Sequence, residues 1–131
     1  MKYMLDTNIC IYAIKRNLNT IRKIIACDPE DICISSITLS ELIYGIEKSS
    51  RPEQNRVALI QFLAPISILA YGCDAANEYG RVRSSLEKSG TPIGSMDMLI
   101  ASHALSEDLT LITNNEKEFR RIPQLKVENW T

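Results

Sequence analysis

Short apolar runs alternate along the chain with segments in which apolar residues recur every three to four positions. The runs KYML, DICIS, ISIL, LTLIT and KVEN have the length of buried strands. Between them the helical period returns, and it predicts helices from Asn8, around Leu18 to Ala26, from Ile37, from about Pro52, from about Asp74, from Gly94 and, briefly, from Asn115. Leu39, Leu42, Ile43 and Ile46 fall at i, i+3, i+4 and i+7, and Ala75, Tyr79, Val82 and Leu86 at i, i+4, i+7 and i+11, so both segments read as amphipathic. Strands separated by helices predict a parallel sheet of four to five strands covered on both faces, a three-layer α/β/α domain. Such sheets bind ligands outside the carboxyl ends of their strands, where the connections diverge.

Length and composition keep this picture ordinary. A chain of 131 residues is expected to form one domain and to bury roughly two thirds of the surface its unfolded form exposes. Its 45% hydrophobic and 24% charged residues exclude a disordered or fibrous class. Four cysteines, Cys10, Cys27, Cys33 and Cys73, lie at irregular spacings without a C-x-x-C, beside a single histidine, His103. That pattern suggests neither a zinc site nor a disulfide framework and predicts reduced, mostly buried thiols. The opening residues lack a leader pattern, and Val57 to Cys73, the longest uncharged stretch, is broken by Gln61, Pro65 and Ser67 and falls short of the roughly 20 residues of a membrane span. A cytoplasmic protein that does not enter a membrane is expected. With 15 Lys plus Arg against 16 Asp plus Glu, a polyanionic partner must meet a local basic patch.

Chemistry enters at the acids that end strands and open helices. Asp6 directly follows YML. It can serve as a helix cap or turn acid, yet Thr7 or Asn8 can cap the same helix and leave Asp6 free at the sheet edge. Glu41 stands at capping-box spacing from Thr38, while the apolar seam allows the helix to begin earlier; cap and functional acid remain equally open. One turn on, Gly45 costs about 1 kcal/mol relative to Ala inside a helix, a sacrifice that clears space beside Glu41. Asp97 occupies the first turn of a helix that is apolar nearly all round. The dipole there favours an acid, but burial of its charge demands a partner, and no basic residue lies within a turn. Asn115 and Glu118 follow LTLIT at capping-box spacing, beside Thr113 and Asn114.

Taken together, three carboxylates and two amides are delivered by different segments to the carboxyl edge of one sheet. Two carboxylates about 4 Å apart repel by roughly 4 kcal/mol at an effective dielectric near 20. Such a cluster needs a divalent cation or raised pKa values. Oxygen ligands without His or Cys point to Mg2+, with Mn2+ as a substitute.

The stretches MLDTNICIY, ISSITLSELIYGIEKS, GTPIGSMDMLIASHALSEDLTLITNNEKEF and the closing VENW resemble the PIN-domain ribonucleases, and among them the VapC toxins of bacterial VapBC toxin-antitoxin systems. The resemblance runs from about Tyr3 to Trp130, with four motifs in the family's order. It implies a single PIN domain over residues 1–131, Mg2+-dependent endoribonuclease activity, a homodimer, neutralisation by a VapB antitoxin and a higher VapBC assembly. It also implies that Asp6, Glu41 and Asp97 hold metal, that Asn115 stands where the wider family often has a fourth Asp, that Glu118 supplies part of the missing charge, and that Thr7, Asn8 and Thr113 orient the carboxylates. The implied substrate is structured RNA, with initiator tRNA, cut in its anticodon stem-loop, as the target of relatives of this type. Lys15, Arg16, Arg22, Lys23, Arg51, Arg81, Arg83 and Lys88 are candidates for holding the RNA backbone, although each also reads as a residue of a solvated face.

Rival readings fit less well. A haloacid-dehalogenase phosphatase needs a second acid two residues after Asp6, where this chain has Asn8. No phosphate-binding glycine motif and no G-x-S-x-G is present, which excludes the common nucleotide-binding modules and hydrolase elbows. His103, six residues beyond Asp97, is expected to pack or cap rather than catalyse. A DNA-structure nuclease and an inactive PIN-like scaffold stand as the alternatives.

Overall fold

The computed structural model describes all residues 1–131. Five strands, β1 (Tyr3–Leu5), β2 (Ile32–Ser35), β3 (Ser67–Leu69), β4 (Thr110–Ile112) and β5 (Val127–Glu128), form one sheet in the order β3-β2-β1-β4-β5. Every pairing is parallel, with Met4 beside Cys33 and Leu111, Ile34 beside Ile68, and Ile112 beside Glu128. Seven helices connect them: α1 (Thr7–Ile14), α2 (Leu18–Ile25), α3 (Ser36–Glu47), α4 (Pro52–Leu63), α5 (Cys73–Lys88), α6 (Ser95–Ser106) and α7 (Glu116–Phe119). A 3-10 turn at Pro29–Asp31, not visible in the periodicity, leads into β2 under the cap of Asp28.

Alternation along the strands divides the core in two. Met4, Cys33 and Leu111 point to the face covered by α5, α6 and α7, where Val82, Leu86, Met98, Ile100 and Phe119 pack. Leu5, Ile32, Ile34 and Ile112 point to the other face, with Ile9 of α1, Leu42 and Ile46 of α3, Leu59 of α4 and the terminal Trp130. Trp130 meets the Tyr3 ring edge-on at 5.0 Å, and its carbonyl accepts from the hydroxyl of Thr20, which fastens the chain end to α2. No helix is long and apolar enough to cross a membrane.

Two details of the helix reading are corrected. Ile43 belongs to the counted seam of α3 but is 39% exposed; of that stripe only Leu42 and Ile46 are buried. Of the thiols, Cys10 and Cys33 are buried, Cys27 is half-buried and Cys73, at the first position of α5, is exposed. The strand order places the topological switch between β1 and β4: β1, β2 and β3 step one way across the sheet, and the chain then returns through α5 and α6 to the other side of β1. The residues following β1 and β4 therefore flank the crevice where such sheets bind ligands.

Candidate functional site

Asp6 extends β1 by one rung, its amide donating to the Ile112 carbonyl at 3.0 Å, and then turns the chain into α1. It is the N-cap itself, with Oδ1 accepting from the Ile9 amide at 2.9 Å, so neither Thr7 nor Asn8 takes that role. The cap and functional readings coincide on one side chain, 5% exposed. Thr7 is thereby free to donate its hydroxyl to Glu41 Oε1, at 2.6 Å, joining α1 to α3. Asn8 is exposed on the first turn of α1.

The capping box left open at Thr38 does not form. Ser35 caps α3, with its Oγ accepting from the Ile37 amide, so Thr38 lies inside the helix with a buried hydroxyl that has no partner. Glu41 is left half-buried one turn further on, bound to Thr7 rather than to its own helix. Asp97 lies in the first turn of α6 with its Oδ2 against Gly94, in the favourable field of the helix N-terminus. At the end of β4 the buried hydroxyl of Thr113 accepts from the Asn115 amide at 2.9 Å. Asn115 occupies the cap position of α7, but its side chain makes no capping hydrogen bond, contrary to the capping-box expectation.

Electrostatics tie these groups together. Burial raises the Asp6 carboxyl to about 6; the Thr113 hydroxyl and the Ile9 amide pull it down, and the charges of Asp97 and Glu41 push it further up. Asp97 is raised as well, first by burial, then by Glu118 and Glu41. Asp6, Glu41, Asp97 and Glu118 thus sense one another across the end of the sheet. None of the four lies within ion-pair distance of a Lys or Arg. They do not close into a ready-made cage, since no three acidic, His or Cys side chains converge on one point. One oxygen of each of two acids is already engaged, Asp6 Oδ1 by the Ile9 amide and Glu41 Oε1 by the Thr7 hydroxyl.

The donor set nevertheless suits a hard cation. Its ligand atoms are oxygens, and Mg2+ is ordinarily held by one or two carboxylates together with waters and substrate phosphate rather than by an all-protein cage. Cys10, one turn along α1, is no competitor, because burial and the Asp6 charge raise its thiol far above the ordinary range and keep it protonated.

Glu41 also lines a groove of about 420 Å3 between α1, α3 and α4, floored by Ile11, Ile14, Leu42 and Leu59 and edged by Lys15 and Lys48. Gly45 belongs to the same wall, and a Cβ there would meet nothing within 4 Å. Of the eight basic candidates only Lys15 shares this groove. Arg16 lies at an apolar cavity of about 410 Å3 under α2, Arg22 and Lys23 flank the chain terminus, Arg51 precedes α4, and Arg81 and Lys88 line a shallow polar depression on α5. Arg81 and Arg83 are ion-paired with Glu78 and Glu87. Periodicity gave no sign of Lys48; Asn114, noted beside Thr113 in the sequence, donates its Nδ2 to the Tyr12 hydroxyl at 2.9 Å.

The family model described as PIN domain matches residues 3–125. The "tRNA(fMet)-specific endonuclease VapC" of Salmonella typhimurium is 45% identical over 130 residues, covering 99% of this chain and 98% of that protein. "Ribonuclease VapC2" of Rickettsia felis is 47% identical over 137 residues, again covering 99% and 98%. Among solved structures, "Crystal structure of DNA bound VapBC from Salmonella typhimurium" contains a chain that superposes with a TM-score of 0.95 at 45% identity, covering 100% of this chain and 99% of that one.

Proposed function

This chain belongs to the PIN-domain family, in its VapC branch, and from that premise we propose that it is a divalent-metal-dependent endoribonuclease, the toxin of a toxin-antitoxin pair, with tRNA as its substrate. The observation that carries the chemistry is the group of four acids around the β1–β4 switch point without a single cationic partner. Asp6, Glu41 and Asp97 would hold Mg2+, or Mn2+ in its place, with Asn115 completing the catalytic set. The bound cation supplies a Lewis acid for the scissile phosphate and lowers the pKa of a water.

The chain's own groups act around that centre. Asp6 is ionised above pH about 6 and is aimed by the Ile9 amide and Thr113. Thr7 holds one oxygen of Glu41, Oε1, and leaves the other for a ligand. Thr113 also restrains the backbone at Asn115, so that the uncapped amide side chain is available to a phosphate oxygen or a water. Glu118 adds negative charge beside Asp97. Asn8, exposed at the start of α1, offers an amide to the RNA backbone. Water attacks the phosphorus and the 3'-oxygen leaves, a displacement that needs no 2'-hydroxyl and gives products with a 5'-phosphate and a 3'-hydroxyl.

The partners follow from exposed apolar surface. Tyr44 on α3 and Ile60 on α4 are 65% and 62% exposed, and the 410 Å3 apolar cavity under α2 is of a kind that a protein segment covers. A homodimer, a VapB-type antitoxin and their higher assembly, all in the cytoplasm, account for these faces. The test is purified protein with a tRNA pool in Mg2+, in Mn2+ and in EDTA, alongside Asp6→Asn, with the ends of the products identified. Metal-dependent cuts ending in 5'-phosphate are expected; cleavage that survives both EDTA and Asp6→Asn overturns the reading.

A further inference from the structure

Ser35 joins three elements through one hydroxyl. It ends β2, its Oγ accepts from the Ile37 amide to cap α3, and the same oxygen lies 2.8 Å from Nδ1 of His103 on α6. Both side chains are buried. The ring of His103 stands edge-on to Tyr71 with centroids 5.6 Å apart, and the Tyr71 amide donates to Ser36 Oγ at 3.0 Å. The first turn of α3 is therefore gripped from two sides, by α6 through Ser35 and by the β3–α5 connection through Ser36.

Packing alone does not call for an imidazole here. Its Nε2 is buried without a protein partner, a penalty that an apolar ring of the same size would avoid. What the imidazole adds is the bond from Nδ1, and that bond links the two helices bearing half-buried acids. Glu41 lies six residues beyond Ser35 on α3, and Asp97 lies six residues before His103 on α6, each about 9 Å of helix from the shared contact. Helices transmit such a constraint as rigid rods, so the Ser35–His103 bond sets where one acid stands relative to the other.

We propose that His103 is a positioning residue that, through Ser35, fixes the separation of Glu41 and Asp97. This deepens the nuclease reading and rests on it. Slippage of about 1 Å in such an arrangement reduces turnover by up to about 100-fold.

The experiment compares His103→Phe, His103→Asn, Ser35→Ala and the double variant Ser35→Ala/His103→Phe, each checked for folding by circular dichroism. On an RNA that the unaltered protein cuts, His103→Phe and Ser35→Ala each lower kcat about 10- to 100-fold. KM stays within about threefold. The double variant falls no further than the lower single variant. His103→Asn, whose amide nitrogen reaches the place of Nδ1, regains most of the loss. A second readout uses the fact that His103 is the only histidine, so its ring nitrogens give unambiguous NMR signals. Addition of Mg2+, or the change Asp97→Asn, shifts those signals in the protein with Ser35, and Ser35→Ala suppresses the response to Mg2+.

Folded His103→Phe that cuts at the unaltered rate overturns the proposal, as do losses that multiply in the double variant or ring signals that ignore both Mg2+ and Asp97→Asn. If His103→Phe does not fold, Ser35→Ala and His103→Asn carry the same comparison. An unaltered protein that cuts no RNA defeats the nuclease reading instead, and the NMR response then still decides whether His103 is joined to the acids.

Discussion

The two edges of the sheet treat the same side chain in opposite ways. At the amino edge, Asp31 sits 3.6 Å from the N-terminal amine and 4.0 Å from Lys2 Nζ, an acid placed between cations just before β2 begins. Elsewhere on the surface Glu47, Glu78, Glu87, Asp108 and Glu116 each have a Lys or Arg partner. At the carboxyl edge Asp6, Glu41, Asp97 and Glu118 have no such partner, and burial, reinforced by the charges of neighbouring acids, raises Asp6 and Asp97. Folding alone offers no reason to bury uncompensated acids near one another. A cluster arranged against stability at one edge, while Asp31 at the other sits among cations, marks the carboxyl edge as the place where a ligand supplies the missing positive charge.

The largest effect expected from this contrast is on cleavage. Asp97→Asn and Asp6→Asn keep the shape of their side chains and remove a charge, and each should lower RNA cleavage about a thousandfold, the equivalent of several kcal/mol of transition-state stabilisation. Single-turnover rates in Mg2+ measure this. A variant with more than a tenth of the original rate would remove that acid from the proposed centre.

Stability should move in the opposite direction. The folded-state pKa of Asp6, about 6, lies above its unfolded value near 4, so the native state binds the proton more tightly than the unfolded chain does. Below pH 4 both states are protonated and Asp6 contributes nothing. As pH rises from 4 to 6 the unfolded chain ionises first, and the protein loses on the order of 3 kcal/mol that stays lost above pH 6. Asn remains a good N-cap, so Asp6→Asn should be more stable than the unaltered protein at pH 7.5 and match it near pH 3.5. Denaturant unfolding at the two pH values checks the sign. Mg2+ should bind less tightly as pH drops through about 6, because the cation then competes with a proton for Asp6.

How much of this was legible in the sequence differs by residue. The alternation of strands and helices carried the layer order, because a parallel sheet covered on both faces leaves few other uses for five short apolar runs. Asp6 stood out as an acid ending a strand, Glu41 as one near the start of a helix with an alternative cap, and Asp97 as one opening an apolar helix without a local base. Which atom caps which helix was not legible: Asp6, Thr7 and Asn8 have similar capping propensities, and only the fold shows Thr7 turned toward Glu41. Thr38 and Asn115 carried capping signals that tertiary contacts overrode. The Ser35–His103 contact joins residues 68 positions apart, and no periodicity reports a bond of that kind. The basic candidates were the least legible, since a Lys or Arg looks the same in sequence whether it edges a groove, as Lys15 does, or pairs with a neighbour on the same helix, as Arg83 does with Glu87.

A smaller loss should follow from Thr7→Val, which keeps volume and removes the 2.6 Å bond to Glu41 Oε1. Losing the group that orients a ligating carboxylate typically costs about 10- to 100-fold in metal affinity or activity. The signature is a higher Mg2+ concentration for half-maximal cleavage, with rates at saturating Mg2+ recovering most of the way. Thr7→Ser should behave as the unaltered protein; an unchanged Mg2+ requirement in Thr7→Val would show that Glu41 needs no holding.

The smallest effect belongs to the other edge, and it serves as the control on the whole contrast. Asp31→Asn removes a partly exposed acid from two long ion pairs, each of a type worth about 0–1 kcal/mol. Its stability should fall by less than 1 kcal/mol at low salt and by less still at high salt, where the pairs are screened. Cleavage and its Mg2+ requirement should be unchanged, since Asp31 stands at the opposite end of the strands from Asp6. Loss of activity in Asp31→Asn comparable to that in Asp97→Asn would mean that removing any acid disables the protein, and the distinction between a paired edge and an unpaired one would no longer explain where the chemistry resides.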